Sequence, residues 1–167
     1  MTRRQLMNLL SLFGLAPLAS QAQAPAAAAA TGTAAPVADW RKLSDADWRA
    51  RLSPAQYDVL RREGTEAPYT SPLNAEKRRG VFHCAGCDLP LFASETKYES
   101  GTGWPSFYAT LPGAMGTKKD FKLIFPRTEY HCSRCGGHHG HVFDDGPRPT
   151  GKRYCNNGVA LRFEAAA

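Results

Sequence analysis

Four of the chain's five cysteines form two C-x-x-C pairs, Cys84/Cys87 and Cys132/Cys135, and this pattern constrains the fold more than any other feature. Each pair presents two sulfur ligands from one tight turn, and two such pairs complete a tetrahedral metal site. We therefore predict that these four cysteines bind Zn²⁺ and clamp distant parts of the chain together. Iron in the same sulfur cage is a minor alternative. Two disulfides are the competing interpretation.

The fifth cysteine, Cys155, has no partner in this pattern. Arg153 lies two residues before it, so in a strand both side chains would share a face and the guanidinium would favour a thiolate. Asp145 could orient that guanidinium through a bidentate pair. With the histidine-rich segment 138–141 upstream, Cys155 is a candidate nucleophile. The alternative is a buried strand cysteine beside a solvated histidine turn.

The first 38 residues do not resemble a folded domain. Residues 1–24 combine Arg3 and Arg4 with an uncharged run and a small-residue segment, which predicts an export signal peptide similar to twin-arginine signals. Such signals carry folded proteins, which would reconcile export with metal loading in the cytoplasm. The uncharged run is shorter than the roughly 20 apolar residues of a membrane span, so we expect no stable membrane anchor. The expected location is the bacterial periplasm.

The remaining sequence divides into a linker and one domain. Residues 25–38 are rich in alanine and proline and predict a flexible linker, and residues 39–164 predict the functional domain. The formal charge is +6, but apart from Lys77-Arg78-Arg79 the basic residues are scattered. We therefore expect no nucleic-acid partner, because such partners require clustered basic residues. No feature indicates an obligate interface, and we expect a monomer.

Local patterns predict a mainly β domain with short N-terminal helices. Ser44 can cap a helix that runs towards Leu52, and Ser53-Pro54-Ala55-Gln56 predicts a second helix that ends at Gly64. After Gly80 the pattern changes to short strands with Gly and Pro between them, which favours antiparallel sheets. The predicted strands cover residues 80–83, 121–125, 128–131 and 159–163.

One further segment, Ser100-Gly101-Thr102-Gly103-Trp104-Pro105-Ser106-Phe107, is unusual. Its glycines permit tight backbone turns, and Trp104 presents a large aromatic surface before a rigid proline. A lone tryptophan is more often a core residue than a recognition surface. The residues alone leave both interpretations open.

Five ordered motifs together resemble the methionine-R-sulfoxide reductases of type B, from about residue 52 to residue 163. The motifs are Gly64-Thr65-Glu66-Ala67-Pro68, both cysteine pairs, Ser-Gly-Thr-Gly-Trp-Pro-Ser-Phe, Gly-His-Val-Phe-Asp-Asp-Gly-Pro and Arg-Tyr-Cys-x-Asn. The resemblance implies two twisted antiparallel sheets stapled by zinc away from the active site. It also implies a peptide-methionine (R)-S-oxide reductase, which reduces the R epimer of methionine sulfoxide, free or in proteins.

The resemblance also implies a role for each candidate catalytic residue. Cys155 would attack the sulfoxide sulfur as a thiolate and become a sulfenic acid. His141 and Asn157 would hydrogen-bond the sulfoxide oxygen, and His138 would assist as an acid. Arg153 with Asp145 would activate the thiolate.

Trp104 completes the site that the resemblance implies, as an apolar seat for the substrate's terminal methyl group. Three positions depart from the family pattern, and one of them is Asn156-Asn157-Gly158, where the flanks of the family asparagine differ. Thr102 stands where many members have a cysteine that resolves the sulfenic acid, so we predict reduction by an external thiol, either a thioredoxin-like protein or a small thiol. His139 stands where an apolar residue is usual, and we expect it to point outward.

Two hypotheses from other classes compete with an exported reductase. A zinc-ribbon module that binds nucleic acid would not need Cys155 and would bind with strong salt dependence. A thiol-based redox sensor or metal store would use the cysteines without turning over a sulfoxide.

Overall fold

The computed structural model describes residues 39–122 and 126–167, so the predicted leader (1–24) and linker (25–38) lie outside the described residues. Two helices open the domain, α1 (Asp45–Arg51) and α2 (Pro54–Arg62). Ser44 and Ser53 cap them, and each helix begins with a capping box. Helix α2 ends at Arg62, two residues before the predicted stop at Gly64, because Glu63 adopts the left-handed conformation there.

Within residues 39–122 and 126–167, nine strands form two antiparallel sheets, which confirms the predicted mainly β fold. They are β1 (Gly80–Cys84), β2 (Pro90–Ala93), β3 (Lys97–Tyr98), β4 (Ser106–Phe107), β5 (Met115–Asp120), β6 (Arg127–Cys132), β7 (His138–Phe143), β8 (Arg153–Asn156) and β9 (Leu161–Ala165). The smaller sheet has the order β2-β1-β9, and the larger has the order β3-β4-β8-β7-β6-β5. The neighbouring strands pair antiparallel throughout.

The strand predicted at residues 121–125 is wrong where the structure describes it. Strand β5 precedes that segment and ends at Asp120, while Phe121 and Lys122 lie outside any strand. Residues 123–125 lie outside the described residues. The last strand, β9, begins two residues later than the predicted residue 159, because Gly158–Ala160 forms a 3-10 turn before it.

Aromatic rings fill the space between the two sheets. Phe92 of the smaller sheet stacks on Phe107 of the larger sheet, with ring centroids 4.1 Å apart, and Phe82 meets the same ring edge-on at 4.9 Å. Tyr130 and Tyr154 continue this layer with centroids 5.3 Å apart. Each buried aromatic pair adds about 0.5–1.5 kcal/mol to its burial energy, so this layer fixes how the sheets face each other.

The helices pack on the turns that carry the cysteine pairs. Trp48 of α1 and Leu60 of α2 are buried, and both lie against Gly86 between the first two cysteines. A Cβ at Gly137, after the second pair, would come within 3.0 Å of Leu60. In the stretches 39–122 and 126–167, no helix has the length and apolar character needed to cross a membrane.

A β-bulge in β7 determines which side chains share a face of the larger sheet. Tyr130 pairs with Gly140 and His131 pairs with His138, so His139 is an extra residue in β7. The extra residue shifts the alternation of side chains. As a result His138 and His141 lie on one face although they are three residues apart, with ring centroids 5.6 Å apart.

Candidate functional site

The four paired cysteines form one buried cluster rather than two disulfides. Their sulfur atoms all lie within 4.8 Å of one another, with Cys84 to Cys135 at 3.7 Å and Cys87 to Cys132 at 3.5 Å. A tetrahedron with metal–sulfur bonds of about 2.3 Å has edges of roughly 3.8 Å, so the sulfur atoms present fit a structural metal ion.

Arginine side chains surround the turns of this cluster. Arg41 donates to the Ser133 carbonyl at 2.6 Å, Arg61 to the Cys135 carbonyl at 3.2 Å, and Arg134 to the carbonyl of Cys87 at 3.0 Å. These bonds hold both turns in place and bring positive charge to a site that thiolates would make negative.

Cys155 lies in β8 and lines a cavity of about 130 Å³ on the face of the larger sheet opposite the aromatic layer. His141 of β7 and Ser106 of β4 pair with it in register, so the three side chains share this face. Of the predicted site residues, Trp104, His141 and Asn157 line the same cavity. The volume suits the end of one side chain rather than a whole drug-sized ligand.

His141 is held by a carboxylate. Its Nε2 lies 2.7 Å from Asp120 Oδ2, and Asp120 also accepts from Arg127 at 2.8 Å. A hydrogen bond from the backbone of Lys122, followed by that from His141, keeps the pKa of Asp120 well below its usual range. Burial lowers the pKa of His141 despite Asp120, so the ring is neutral near pH 7. Because an ionised carboxylate only accepts, Nε2 carries the hydrogen and Nδ1 is a bare acceptor.

His138 does not line the cavity but lies beside His141 in a buried network. Its Nδ1 donates to Glu129 Oε1 at 2.8 Å, and Glu129 also accepts from His131 at 3.3 Å. Burial alone would raise the pKa of Glu129, but these histidine hydrogen bonds outweigh it and the net pKa is lowered. Nε2 of His138 is buried and has no hydrogen-bond partner within the described part of the chain. Glu129 therefore fixes the orientation of the His138 ring, while its Nε2 makes no hydrogen bond within the described residues.

Arg153 and Asp145 form a bidentate pair, with Nε–Oδ1 at 2.8 Å and Nη2–Oδ2 at 2.7 Å. The guanidinium lies 4.3 Å from the ring centre of Phe143, which lines the cavity. Burial raises the pKa of Cys155, and the contacts from Thr102 and Arg153 offset this only in part. Arg153 thus favours the thiolate, as expected, but burial outweighs its effect and raises the pKa of Cys155, so the residue rests as a thiol.

A chain of hydroxyl groups leads to Cys155. Ser106 Oγ lies 2.7 Å from Ser100 Oγ, which lies 2.8 Å from Thr102 Oγ1. Thr102 Oγ1 is in turn 3.9 Å from Cys155 Sγ. The Thr102 hydroxyl thus faces the Cys155 sulfur directly and can donate to it.

Glu66 fixes two cavity residues at once. Its carbonyl accepts from Trp104 Nε1 at 3.1 Å, and its backbone N–H donates to Asn157 Oδ1 at 3.0 Å. Its carboxylate accepts from the backbone N–H groups of Gly158 and Val159, which closes the turn after Cys155. Asn157 Nδ2 donates one hydrogen to the His139 carbonyl at 3.0 Å, and its second hydrogen remains for a ligand.

The outward orientation expected for His139 is wrong. Its side chain is fully buried and stacks on Tyr130, with centroids 6.4 Å apart. Burial lowers its pKa to about 4, so it is a neutral core residue. The bulge that brings His138 and His141 together turns this residue towards the aromatic layer.

Sequence reasoning missed Glu129, Asp120 and the role of Glu66. A signal for Glu129 was present, since Arg127, Glu129 and His131 alternate along a strand and must share one face. Asp120 gave no local signal, because it follows two lysines at the end of an otherwise polar strand.

A half-buried thiol that faces a histidine–carboxylate pair across a small cavity is the arrangement of a thiol-dependent enzyme. Comparison with known proteins agrees with this class. A family model described as SelR domain matches residues 52–165, and the chain belongs to that family.

Several relatives carry the name peptide methionine sulfoxide reductase. "Peptide methionine sulfoxide reductase MsrB" of Pseudomonas putida is 55% identical over 119 residues, which covers 71% of this chain and 90% of that protein. The protein of the same name from Agrobacterium fabrum is 52% identical over 122 residues, covering 72% and 90%. "Peptide methionine sulfoxide reductase B1, chloroplastic" of Arabidopsis thaliana is 50% identical over 128 residues, covering 76% and 63%.

Removing the metal should unfold the domain, because binding energy of about 10–16 kcal/mol in such a site is also folding energy. We expect one metal ion per chain by elemental analysis and loss of the β-sheet circular dichroism signal when a strong chelator removes it. Cys132→Ser should purify without metal, whereas the matched variant Cys155→Ser should keep it. A chelated chain that retains its spectrum and melting temperature would show that the cluster is not a structural metal site.

Thr102→Val should raise the pKa of Cys155, because it removes a hydroxyl that stabilises the thiolate and keeps the side-chain shape. The thiolate fraction at a given pH then falls, and the midpoint of the alkylation rate against pH should move up by roughly half to one unit. Alkylation by iodoacetamide at the peptide that contains Cys155, followed by mass spectrometry, measures this. Thr102→Ser keeps the hydroxyl and should leave the midpoint near that of the parent. Equal midpoints in all three proteins would rule out the hydrogen bond.

Proposed function

We propose that this chain is a peptide-methionine (R)-S-oxide reductase that acts on methionine-R-sulfoxide, free or within proteins. One observation carries the proposal: in a member of the SelR domain family, Cys155 shares a small cavity with His141, Asn157 and Trp104. The cavity accepts one side-chain end and offers it a sulfur nucleophile, hydrogen-bonding groups and an aromatic wall.

The first half of the reaction transfers the oxygen. The sulfur of Cys155 attacks the sulfoxide sulfur and forms a transient sulfur–sulfur bond. The oxygen then shifts to the cysteine sulfur as that bond and the sulfur–oxygen bond of the substrate break, which leaves Cys155 as a sulfenic acid. The substrate sulfur gains two electrons and leaves as methionine. Trp104, held by its bond to the Glu66 carbonyl, seats the terminal methyl group and aligns the sulfur.

The proton for this step comes from the thiol itself. The bare Nδ1 of neutral His141 takes the Cys155 proton, and the resulting imidazolium gives it to the sulfoxide oxygen. Asp120 stabilises the imidazolium through Nε2. Asn157 donates its second amide hydrogen to the same oxygen. His138, oriented by Glu129, assists as a second acid when its Nε2 is protonated.

The second half restores the thiol with an external reductant. Thr102 has no sulfur to form an intramolecular disulfide, and the other four cysteines form the metal cluster. A thiol therefore condenses with the sulfenic acid to give a mixed disulfide and water, and a second thiol releases Cys155 as a thiol. A thioredoxin-like protein or a small thiol supplies both. The ion in the cluster is zinc with a structural role, and the protein works as a monomer without nucleic acid.

The activity assay uses separate R and S epimers of methionine sulfoxide with dithiothreitol. The parent should reduce the R epimer and leave the S epimer unchanged, and Cys155→Ser should lose activity by at least a thousandfold, because a hydroxyl is a poor nucleophile towards sulfur. Turnover by Cys155→Ser, or equal rates on both epimers, would contradict the proposal.

A thiol count after one turnover without reductant tests the external-thiol step. The parent should lose one thiol, at Cys155, and form no disulfide. Thr102→Cys is the matched control: it places sulfur beside Cys155 and should lose two thiols. Loss of two thiols in the parent would reject the external route.

We propose further that residues 1–24 direct export to the periplasm by a twin-arginine route. The support is the pair Arg3-Arg4 ahead of an uncharged run, and a folded cluster that such a route would carry intact. Replacing Arg3 and Arg4 by lysine should retain the protein in the cytoplasm of a bacterial host, as measured by fractionation. Undiminished export of that variant would point to the general secretion route.

A further inference from the structure

Tyr69 combines two features that are unusual for a large side chain. Its backbone is left-handed, with φ at 64°, and its side chain is 71% exposed. Glu63 and Asp88 share that backbone conformation within the described residues, but Glu63 ends helix α2 and Asp88 follows the first cysteine pair. A left-handed tyrosine is strained, and such strain persists where surrounding contacts enforce it, often at ligand sites.

Two hydrogen bonds enforce this conformation. The backbone N–H of Tyr69 donates to the Gly103 carbonyl at 2.7 Å, and its hydroxyl donates to the Gly101 carbonyl at 2.8 Å. One face of the ring covers Gly103, where a Cβ would come within 3.0 Å of ring atoms. The ring is thus rigidly attached to the loop that carries Thr102 and Trp104.

The ring lies at the rim of the site and not inside it. Tyr69 does not line the cavity, whereas its sequence neighbour Thr65 and the loop residue Trp104 do. Ala67 and Pro68 beside it are also exposed, so the rim carries a short apolar segment that faces solvent. An immobile exposed aromatic ring loses little conformational entropy on contact with a ligand.

We infer that the exposed ring of Tyr69 is a subsite for an apolar side chain that flanks the oxidised methionine in a polypeptide substrate. The inference rests on the proposed function and extends it to the choice of substrate. A cavity of about 130 Å³ accepts the sulfoxide side chain and leaves the substrate backbone at its mouth. The residue before or after the sulfoxide then lies over the rim, where the ring offers apolar contact.

A bracing role is the competing explanation. The Tyr69 hydroxyl bond to Gly101 supports the loop, and a brace needs that bond but not an open ring face. Asn74 Nδ2 also donates to the Gly103 carbonyl, at 3.0 Å, so the loop has support that does not depend on the ring. The two explanations therefore assign importance to different atoms of one side chain.

Three probes and two variants separate these explanations. The probes are N-acetyl-methionine-R-sulfoxide methylamide, a pentapeptide with leucine on both sides of the sulfoxide, and the same pentapeptide with serine in place of leucine. Tyr69→Asn removes the ring and keeps a residue that tolerates the left-handed conformation. Tyr69→Phe keeps the ring and removes the hydroxyl bond. Thermal melts of both variants check that they are folded.

The measured quantity is kcat/KM for each peptide divided by that for the methylamide. The parent should prefer the leucine peptide, and Tyr69→Asn should lower this ratio about five- to tenfold, as expected for loss of an aromatic contact. The serine peptide should change less than twofold, and Tyr69→Phe should keep the ratio of the parent.

The inference is overturned if Tyr69→Asn keeps the parent's ratio for the leucine peptide. It is also overturned if Tyr69→Phe loses as much as Tyr69→Asn, or if all three probes weaken equally, because each result assigns a bracing role. A parent that reduces the methylamide but has no preference for leucine refutes the subsite alone. A parent that reduces none of the probes refutes the proposed function and the subsite with it.

Discussion

The tetrahedron of sulfur atoms connects the two sheets, and most of the architecture depends on that connection. Cys84 ends β1 in the smaller sheet, Cys132 ends β6 in the larger sheet, and the buried cluster joins them. A small domain with one thin aromatic layer buries limited apolar surface, so a metal ion held by these sulfur atoms would supply stability that packing alone would not. Helices α1 and α2 then cover the turns, because Trp48 and Leu60 fit against their glycines.

The clamp also organises the functional site, although no site residue belongs to it. Strand β6 runs from Arg127, beside Asp120, through Glu129 to Cys132 in the cluster. Fixing its end at the cysteine cluster fixes its register with β7, and that register decides which histidines meet the carboxylates. The structural sulfur atoms therefore act on the chemistry through strand alignment rather than through charge.

Local features of the fold could be predicted from the sequence, while pairings between strands could not. The start of each helix follows from a serine cap and a capping-box residue three positions later, and the C-x-x-C turns follow from the cysteine spacing alone. The prediction of a strand at 121–125 failed because apolar alternation does not identify β5. The β5 side chains are exposed or half-buried except for Asp120, and the strand forms by pairing with β6. The bulge at His139 likewise exists only relative to a partner strand. The family motifs identified Cys155, Trp104 and the histidines. Asp120, which hydrogen-bonds His141, gave no local signal and is identified only by the pairing of β5 with β6 and β7.

In the free protein the thiol and the histidine of the site are both uncharged, so the site holds no reactive thiolate. Burial keeps Cys155 a thiol and His141 a neutral ring, while Asp120 and Glu129 are carboxylates. Thiolates rather than thiols are the targets of adventitious oxidation, so a protonated Cys155 is protected until substrate arrives. In the proposed mechanism, a sulfoxide oxygen in the cavity supplies the acceptor that completes the path from sulfur through His141. On that proposal, nucleophile activation follows from substrate binding, and the burial that raises the thiol pKa also limits the water that would compete for the proton.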